Sequence, residues 1–355
     1  MYSKLISMNE STTATRGRLV RTLLVIFFSL FFVASCMDRK IINPFFSLDP
    51  ELEDPGDPAP ITKTWEVMDT AGFSEGAVSD IAIHRDESDG TVYVAYQNSS
   101  DGGVTIKKFS AGSWVTVGPL GLDTGILGAD VSIYSRNGTP YVVYKDNSQS
   151  GKLTVRSFDG ANWNVVDSPG MSVHNGNCRE VQLYVEPSGH IHPYYTDTET
   201  VPNTVTLMNY EGGSWYSPGG ANLHGGTPDL TALGSKEMGI SALPCGAYRS
   251  GSSVVIEEFN YLFSVFQSIG STSCPSDDFD LAYNNEYPYL AYIDGTMLKV
   301  KKLAKQNANQ TLEVYETTVA AGSSNVSLYI QADGTVYVTY ADGAQGGKVT
   351  AMKVY

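Results

Sequence analysis

Five carboxylic acids and one asparagine recur along the chain at nearly constant spacing, and they are the residues best suited to chemistry. The steps between them are 50, 50, 49, 49 and 47 residues. They are Asp80, Asp130, Glu180, Asp229, Asp278 and Asn325. If a fold gathers them, like charges cannot all stay ionised without partners, so they must bind a cation, share protons or accept hydrogen bonds from backbone amides. We favour backbone amides, and a hard cation such as Ca²⁺ is the alternative.

Each of these residues opens a stretch in which apolar and polar residues alternate, as in 130–134 and 325–329. Such alternation predicts a β-strand. A second strand in each repeat ends in tyrosine, at Tyr96, Tyr144, Tyr195, Tyr248, Tyr292 and Tyr340. The second residue after each tyrosine is of a type that starts turns by hydrogen-bonding its own backbone: Asn98, Asp146, Asp197, Ser250, Asp294 and Asp342. Each repeat therefore begins with two strands, and a tight turn follows the second.

Two more strands complete the repeat. The third interleaves apolar and charged residues, as in 104–109 and 153–158. The fourth carries tryptophan near its start, and all four tryptophans of the chain occupy this position: Trp65, Trp114, Trp163 and Trp215. Six repeats of four short strands, about 50 residues each, predict an all-β fold, a six-bladed β-propeller of four-stranded blades. The fourth repeat, roughly 229–270, is the most divergent.

The two ends of the repeat region complement each other. Residues 64–69 read as a fourth-type strand with no first three strands before it, while the last repeat stops after its third strand. We therefore predict that the N-terminal strand pairs with the C-terminal blade. Such pairing closes the ring and removes its open sheet edge.

The N-terminus has the pattern of an export signal. Arg16, Arg18 and Arg21 precede an apolar run, 23–33, which is short for a membrane span. The run ends in Val-Ala-Ser-Cys at 33–36, which resembles the bacterial lipobox. That resemblance implies a lipoprotein signal peptide over 1–35, a lipid on Cys36 and attachment to a bacterial membrane, with the outer membrane or cell surface favoured. An ordinary cleaved signal with an incidental cysteine, or a retained anchor, stays open.

Residues 36–61 are rich in proline and acids, which predicts an extended tether before a propeller body at 62–355. Removing residues 1–35 takes away four basic residues and one acid, leaving 19 basic and 37 acidic side chains from totals of 23 and 38. This balance repels phosphate backbones and anionic lipid. We therefore expect no nucleic-acid partner, and membrane contact only through the lipid on Cys36.

The body contains three cysteines, Cys178, Cys245 and Cys274, with no spacing typical of zinc sites. Outside the cytoplasm one disulfide is permitted, and Cys245 with Cys274 is the most plausible pair. The alternative is that these are buried small residues.

The turn at 157–163, Ser-Phe-Asp-Gly-Ala-Asn-Trp, resembles the Asp-box of sialidase-type propellers, with one residue fewer between aspartate and tryptophan. The blade style, with strands such as 93–96 (Tyr-Val-Ala-Tyr), is also similar to bacterial surface propellers and, more distantly, to six-bladed fucose-binding lectins. A sialidase needs an arginine cluster, an acidic base and a tyrosine nucleophile. The last two repeats contain no arginine, so we expect a binding module rather than an enzyme.

In a propeller the first strands line a central channel, and the loops after the second and fourth strands share the face where the six recurring residues begin. We name this the channel-mouth face. It also receives His174, His224, Asp146, Asp197, Asp294 and Asp342. The simplest role of these aspartates is to form the turns, and that of the histidines is as exposed loop residues.

We expect a lipid-anchored module of the cell envelope that binds or scaffolds a glycan or protein partner on this face, without a cofactor. A carbohydrate hydrolase of the envelope and a structural subunit of a surface complex are the alternatives.

Overall fold

The computed structural model describes residues 57–61, 63–123, 130–173, 178–198, 204–217, 232–238, 241–260, 265–284, 287–305 and 307–355. Four of the candidate residues lie outside these ranges: Cys36, His174, His224 and Asp229. The other candidates are all described.

The chain folds into six antiparallel sheets, which confirms the predicted six-bladed propeller. A short strand, β1 (Glu66–Val67), precedes blade 1. Blade 1 contains β2 (Val78–Arg85), β3 (Val92–Asn98), β4 (Val104–Ser110) and β5 (Ser113–Thr116). Blade 2 contains β6 (Val131–Arg136), β7 (Thr139–Asp146), β8 (Lys152–Phe158) and β9 (Trp163–Val165). In both blades each strand pairs with the next along the chain, so each is a simple meander.

Blade 3 is the one whose third strand is broken in two. It contains β10 (Cys178–Val185), β11 (Ile191–Asp197), β12 (Thr204–Leu207), β13 (Asn209–Glu211) and β14 (Ser214–Tyr216). Blade 4 contains β15 (Ala232–Met238), β16 (Ser241–Ser250), β17 (Ser253–Asn260) and β18 (Val265–Ser273). The divergent fourth repeat therefore still forms a four-stranded blade.

Blade 5 contains β19 (Phe279–Asn284), β20 (Tyr287–Asp294), β21 (Met297–Ala304) and β22 (Asn307–Thr318). Blade 6 contains β23 (Ser324–Ile330), β24 (Val336–Asp342) and β25 (Lys348–Val354), and its fourth strand is β1. Glu66 lies opposite Lys353 and Val67 opposite Met352. The predicted closure by the two chain ends is thus confirmed, although β1 is shorter than the predicted 64–69.

The second strands of blades 1, 3, 5 and 6 are buried on both faces along most of their length. In β3 every residue from Val92 to Gln97 is buried, because the strand lies inside its sheet and each face packs against a neighbouring blade. Valine, alanine and tyrosine fill this interface. The described residues contain no helix long and apolar enough to cross a membrane.

The four tryptophans join neighbouring blades. The indole nitrogen of Trp114 donates to the carbonyl of Met68 at 2.8 Å, and that of Trp163 donates to Val117 at 2.8 Å. Trp215 donates to Val166 at 3.1 Å, and Trp65 donates to Glu316 at 3.1 Å across the ring closure. Each bond satisfies a carbonyl at the outer strand of the preceding blade, worth about 1 kcal/mol net. The tryptophans at this repeated position therefore contribute to the contacts between blades.

Cys178, Cys245 and Cys274 are buried and form no disulfide. The disulfide between Cys245 and Cys274 is therefore not formed, and the alternative of buried small residues is the correct one. Burial raises the pKa of the Cys178 thiol to about 12 and also raises that of Cys274, so both are held as neutral thiols.

The end of the predicted tether contacts blade 5. The Asp57 carboxylate lies 2.6 Å from the Lys301 ammonium, and the Ile61 amide donates to the Val314 carbonyl at 2.8 Å. Lys301 is completely buried and also donates to the carbonyl and hydroxyl oxygens of Ser273 at 2.8 and 2.9 Å. A buried lysine needs such partners, and this contact fixes the chain just before it enters blade 6.

Candidate functional site

An axial cavity of about 480 Å³ lies along the centre of the ring. The first strands of all six blades line it: β2, β6, β10, β15, β19 and β23. Because these strands run in the same sense and alternate along their length, residues two positions apart share a face. The wall therefore consists of levels, each built from equivalent residues of successive blades.

The first level consists of the recurring residues that open the strands. Asp80, Asp130, Glu180, Asp278 and Asn325 all line the cavity, as the repeat spacing predicted. We call these five residues the acid ring. All are half-buried, because they face the cavity on one side and a neighbouring blade on the other. Asp229, the sixth recurring residue, lies outside the described residues.

Members of the acid ring hold the next blade through its backbone amides. Asp80 Oδ2 accepts from the amides of Asp130 at 2.9 Å and Val131 at 2.5 Å. Asp130 Oδ1 accepts from the amide of Glu180 at 3.2 Å. The favoured interpretation, hydrogen bonding to backbone amides of the neighbouring blade, is confirmed at these positions.

The same contact recurs on the far side of the ring, where Asp278 accepts from the amides of Asn325 at 2.5 Å and Val326 at 3.2 Å. At the ring closure, the Asn325 amide group donates to the Val78 carbonyl at 3.5 Å. The acid ring therefore contributes to assembly of the propeller as well as to its channel.

Three members of the acid ring have left-handed backbone conformations. The φ angles are 101° at Asp130, 50° at Glu180 and 53° at Asn325. Such conformations cost about 1 kcal/mol or more for residues other than glycine. At Asp130 and Asn325 the aspartate of the preceding blade accepts hydrogen bonds from two successive backbone amides, which stabilises this conformation. Strand register also shifts next to Glu180 and Asn325, so the ring sits on β-bulges.

The second level is a belt of polar side chains. Ser132 Oγ donates to Gln182 Oε1 at 2.9 Å. Asp280 Oδ2 accepts from the Leu328 amide at 2.8 Å and from Ser327 Oγ at 3.3 Å. Asp280 was not among the predicted site residues. Its position two residues after Asp278, on the same face of the strand, was the signal that could have identified it.

The third level consists of aromatic side chains. His84 packs against Tyr134 with ring centroids 4.1 Å apart and against Tyr329 at 5.0 Å. The three residues come from blades 1, 2 and 6 and all line the cavity. Sequence reasoning missed them as site residues, although each lies four positions after a member of the acid ring. That spacing places them on the same strand face as the acids.

Burial raises the pKa values of five carboxyl groups in the cavity wall. The pKa of Asp80 rises to about 6, and those of Asp130 and Asp280 rise to about 7. Burial also raises the pKa of Asp278, and that of Glu180 well above its ordinary value. Burial is the largest cause in each case, and repulsion from neighbouring carboxylates adds to it in every one except Asp278. Near neutral pH the cavity therefore offers both protonated and ionised carboxyl groups.

Burial has the opposite effect on His84, whose pKa it lowers to about 3. The imidazole is therefore neutral. Its Nδ1 accepts from the Ser135 backbone amide at 3.1 Å, which requires the proton on Nε2.

Two of the four candidate turn aspartates, Asp146 and Asp342, form turns. Asp146 accepts from the Ser148 amide at 3.0 Å and caps the 3₁₀ turn Asn147–Gln149. Asp342 accepts from the Ala344 amide at 2.9 Å and caps the turn Gly343–Gln345. Asp197 is buried on β11, and Asp294 lies 3.5 Å from the Lys299 ammonium. These contacts form turns and ion pairs outside the cavity, so none of the four lines the channel.

No group of three or more histidine, cysteine or acidic side chains is arranged to hold a metal ion within the described part of the chain. In Asp80 and Asp278 a carboxylate oxygen accepts from a backbone amide of the next blade. The Ca²⁺ alternative stays a prediction.

No family model and no curated protein sequence matches this chain. Solved structures do. AofleA from Arthrobotrys oligospora has a TM-score of 0.58 at 12% identity, covering 85% of this chain and 89% of its own. An α-L-arabinanase from Penicillium chrysogenum, complexed with arabinobiose, has a TM-score of 0.55 at 14% identity, with coverages of 83% and 98%. A protein of unknown function from Dyadobacter fermentans has a TM-score of 0.54 at 11% identity, with coverages of 82% and 98%. At these identities the likeness concerns the fold alone.

Proposed function

We propose that this protein is a lipid-anchored binding module of the cell envelope, and that its channel-mouth face receives a glycan or protein partner. The observation that carries this proposal is the axial cavity of about 480 Å³. Its volume lies within the range of small-ligand sites, and its polar side chains are held by hydrogen bonds on a rigid ring of sheets.

A glycan is the partner that the wall chemistry favours. Carboxylates of the acid ring accept hydrogen bonds, protonated carboxyls can donate them, and Tyr134 and Tyr329 supply ring faces. Sugars present alternating hydroxyl groups and apolar faces, so they match such a wall. The arabinanase with arabinobiose supports the proposal as a structural neighbour that holds a carbohydrate.

A glycan array probed with the purified full-length chain in detergent tests this function. We expect selective binding that is weakened at least tenfold in the Asp280→Asn variant, which retains the oxygen that accepts from Leu328. The Asp333→Asn variant, changed on an exposed hairpin outside the cavity, serves as the matched control. Binding that both variants retain would move the site elsewhere. Cross-linking in intact membranes would reveal a protein partner, and an adduct lost with Asp280→Asn would place it on this face.

The lipid anchor is proposed from the lipobox-like residues 33–36. The chain should incorporate a fatty-acid probe in a bacterial host and fractionate with membranes, and Cys36→Ser should abolish both. Cys178→Ser should keep both, because that thiol is buried in the propeller. Labelling that survives Cys36→Ser would contradict the anchor.

A hydrolase is the second candidate, favoured by one observation. Asp130 and Asp280 have pKa values of about 7, which suits a carboxyl group that must donate a proton near neutral pH. Incubation with arabino-oligosaccharides, followed by product analysis, separates the two functions. Turnover that is lost in Asp130→Asn and kept in Asp333→Asn would establish catalysis, whereas binding without products would support the binding module.

A further inference from the structure

The charges that line the axial cavity are unbalanced. Among the described lining residues there are seven carboxyl groups and no lysine or arginine. Two of the seven have cationic partners beside the cavity: Asp277 lies 2.8 Å from Arg249, and Glu87 lies 3.3 Å from Arg85. The remaining five are Asp80, Asp130, Glu180, Asp278 and Asp280. Such a concentration of one charge in a partly enclosed space attracts a cation from solution.

Glu180 is the acid least committed to the protein. Asp80, Asp130, Asp278 and Asp280 each accept at least one backbone amide. Within the described residues no group donates a hydrogen bond to the Glu180 carboxylate, and its neighbours Asp130 and Asp80 raise its pKa further, after burial. A ligand cation would relieve this repulsion, because the described lining residues include no lysine or arginine.

His84 provides an independent sign of a ligand. The side chain is buried, with 8% of its surface exposed, and it lines the cavity. Because Nδ1 accepts from the Ser135 amide, Nε2 must carry a proton that it can donate. No described residue accepts that proton. This donor opens into the cavity, where an acceptor atom of a ligand can pair with it.

The imidazole is framed by rings that can cover the apolar face of a ligand. Tyr134 lies at a centroid distance of 4.1 Å with a tilt of 37°, and Tyr329 lies at 5.0 Å almost edge-on. Acidic groups at the first level of the cavity and aromatic faces at the third are also the combination that attracts organic cations. A bare metal ion is less suited, since no described group of side chains is arranged to hold one.

We infer that the axial cavity binds a sugar that carries a free protonated amine, with the ammonium group beside Glu180 in the acid ring and a hydroxyl oxygen accepting from His84 Nε2. This inference deepens the proposed binding function and depends on it. The shared chemistry is an organic ammonium group, which an amino sugar or a simple alkyl diamine can supply. The donor at His84 and the two tyrosine faces favour the sugar, because a diamine offers no acceptor oxygen.

Isothermal titration of the full-length chain in detergent tests the inference with three probes: the β-1,4-linked disaccharide of glucosamine, its N-acetylated counterpart and 1,4-diaminobutane. We expect the free disaccharide to bind at least tenfold more tightly than either of the others. Acetylation removes the charge and keeps the ring, while the diamine keeps the charge and lacks the hydroxyl groups.

Two glutamate variants in blade 3 provide the matched comparison. Glu180→Gln should weaken binding of the free disaccharide at least tenfold, whereas Glu211→Gln, on the exposed end of β13 outside the cavity, should leave it unchanged. Thermal unfolding of both variants shows whether the fold is retained. If Glu180→Gln does not fold, His84→Gln replaces it, with the same expected loss.

Each outcome tests the ammonium site separately from the proposed glycan-binding function. Equal affinity for the free and acetylated disaccharides overturns the ammonium site and leaves a glycan-binding function standing. Diamine binding as tight as that of the amino sugar overturns the sugar. The absence of binding to all three probes overturns the inference, and the glycan array then judges the proposed function separately.

Discussion

Replacing Asp80 with asparagine should make the protein less sensitive to pH. The pKa of Asp80 rises from 3.8 to about 6, chiefly because of burial, so the folded state holds its proton more tightly than the unfolded state does. The ionised carboxylate therefore destabilises the fold. This destabilisation is complete above about pH 6 and absent below pH 3.8. Stability of the natural protein should consequently fall as pH rises between these values.

The size of the effect follows from the shift. About two pKa units correspond to ~3 kcal/mol, and because Asp80 faces a solvent-filled channel we reduce this to about 1–2 kcal/mol. In the Asp80→Asn variant an amide oxygen still accepts from the amides of Asp130 and Val131, so the contact between blades persists. The variant should gain about 1–2 kcal/mol relative to the natural protein between pH 4.5 and 7.5.

Urea unfolding followed by tryptophan fluorescence at a series of pH values measures this difference. Asp101→Asn, in an exposed loop of blade 1, is the control and should follow the natural protein at every pH. If the Asp80→Asn and natural proteins differ by a constant amount across the whole range, burial of an ionisable Asp80 is wrong. A loss of several kcal/mol at every pH would also refute the argument, because it would show that the amide oxygen cannot replace the carboxylate.

Three further predictions concern the scaffold. Trp163→Phe should lower the free energy of unfolding by about 1–3 kcal/mol, because the buried Val117 carbonyl loses its donor; urea unfolding measures it, and an unchanged midpoint would contradict the role of this bond. Asp57→Asn should cost about 1–3 kcal/mol, because the buried Lys301 loses its carboxylate; faster proteolysis near residues 57–63 would report the release, and equal rates would count against it. A thiol reagent at pH 8 should leave Cys178, Cys245 and Cys274 unmodified in the folded protein and modify all three in urea, and rapid reaction without urea would show that they are accessible.

The sequence predicted the ring well because its evidence was periodic. An acid every 50 residues or so, a tyrosine ending each second strand and a tryptophan opening the fourth are constraints that six equivalent blades impose together. The same periodicity placed Asp80, Asp130, Glu180, Asp278 and Asn325 on the channel wall, where the structure has them. The hydrogen bonds to the next blade could also be predicted, because carboxylates gathered in one place need partners.

Features without a repeat were not predicted. The ion pair between Asp57 and Lys301 joins two residues that are not related by the blade repeat. Only packing of the chain beside β22 brings them together. His84 occupies a position where blades 2, 3 and 6 carry tyrosine, so its role depends on the Ser135 amide beside it rather than on its residue type. The unformed disulfide between Cys245 and Cys274 shows that a permitted pair is not a required one.

A crystal structure of the full-length chain with the glucosamine disaccharide tests the central claim most directly. The account predicts ligand density in the axial cavity, with the amine within hydrogen-bond distance of the Glu180 carboxylate and a hydroxyl oxygen near His84 Nε2. Ligand density between blades or on the face opposite the acid ring, with an empty cavity, would contradict it.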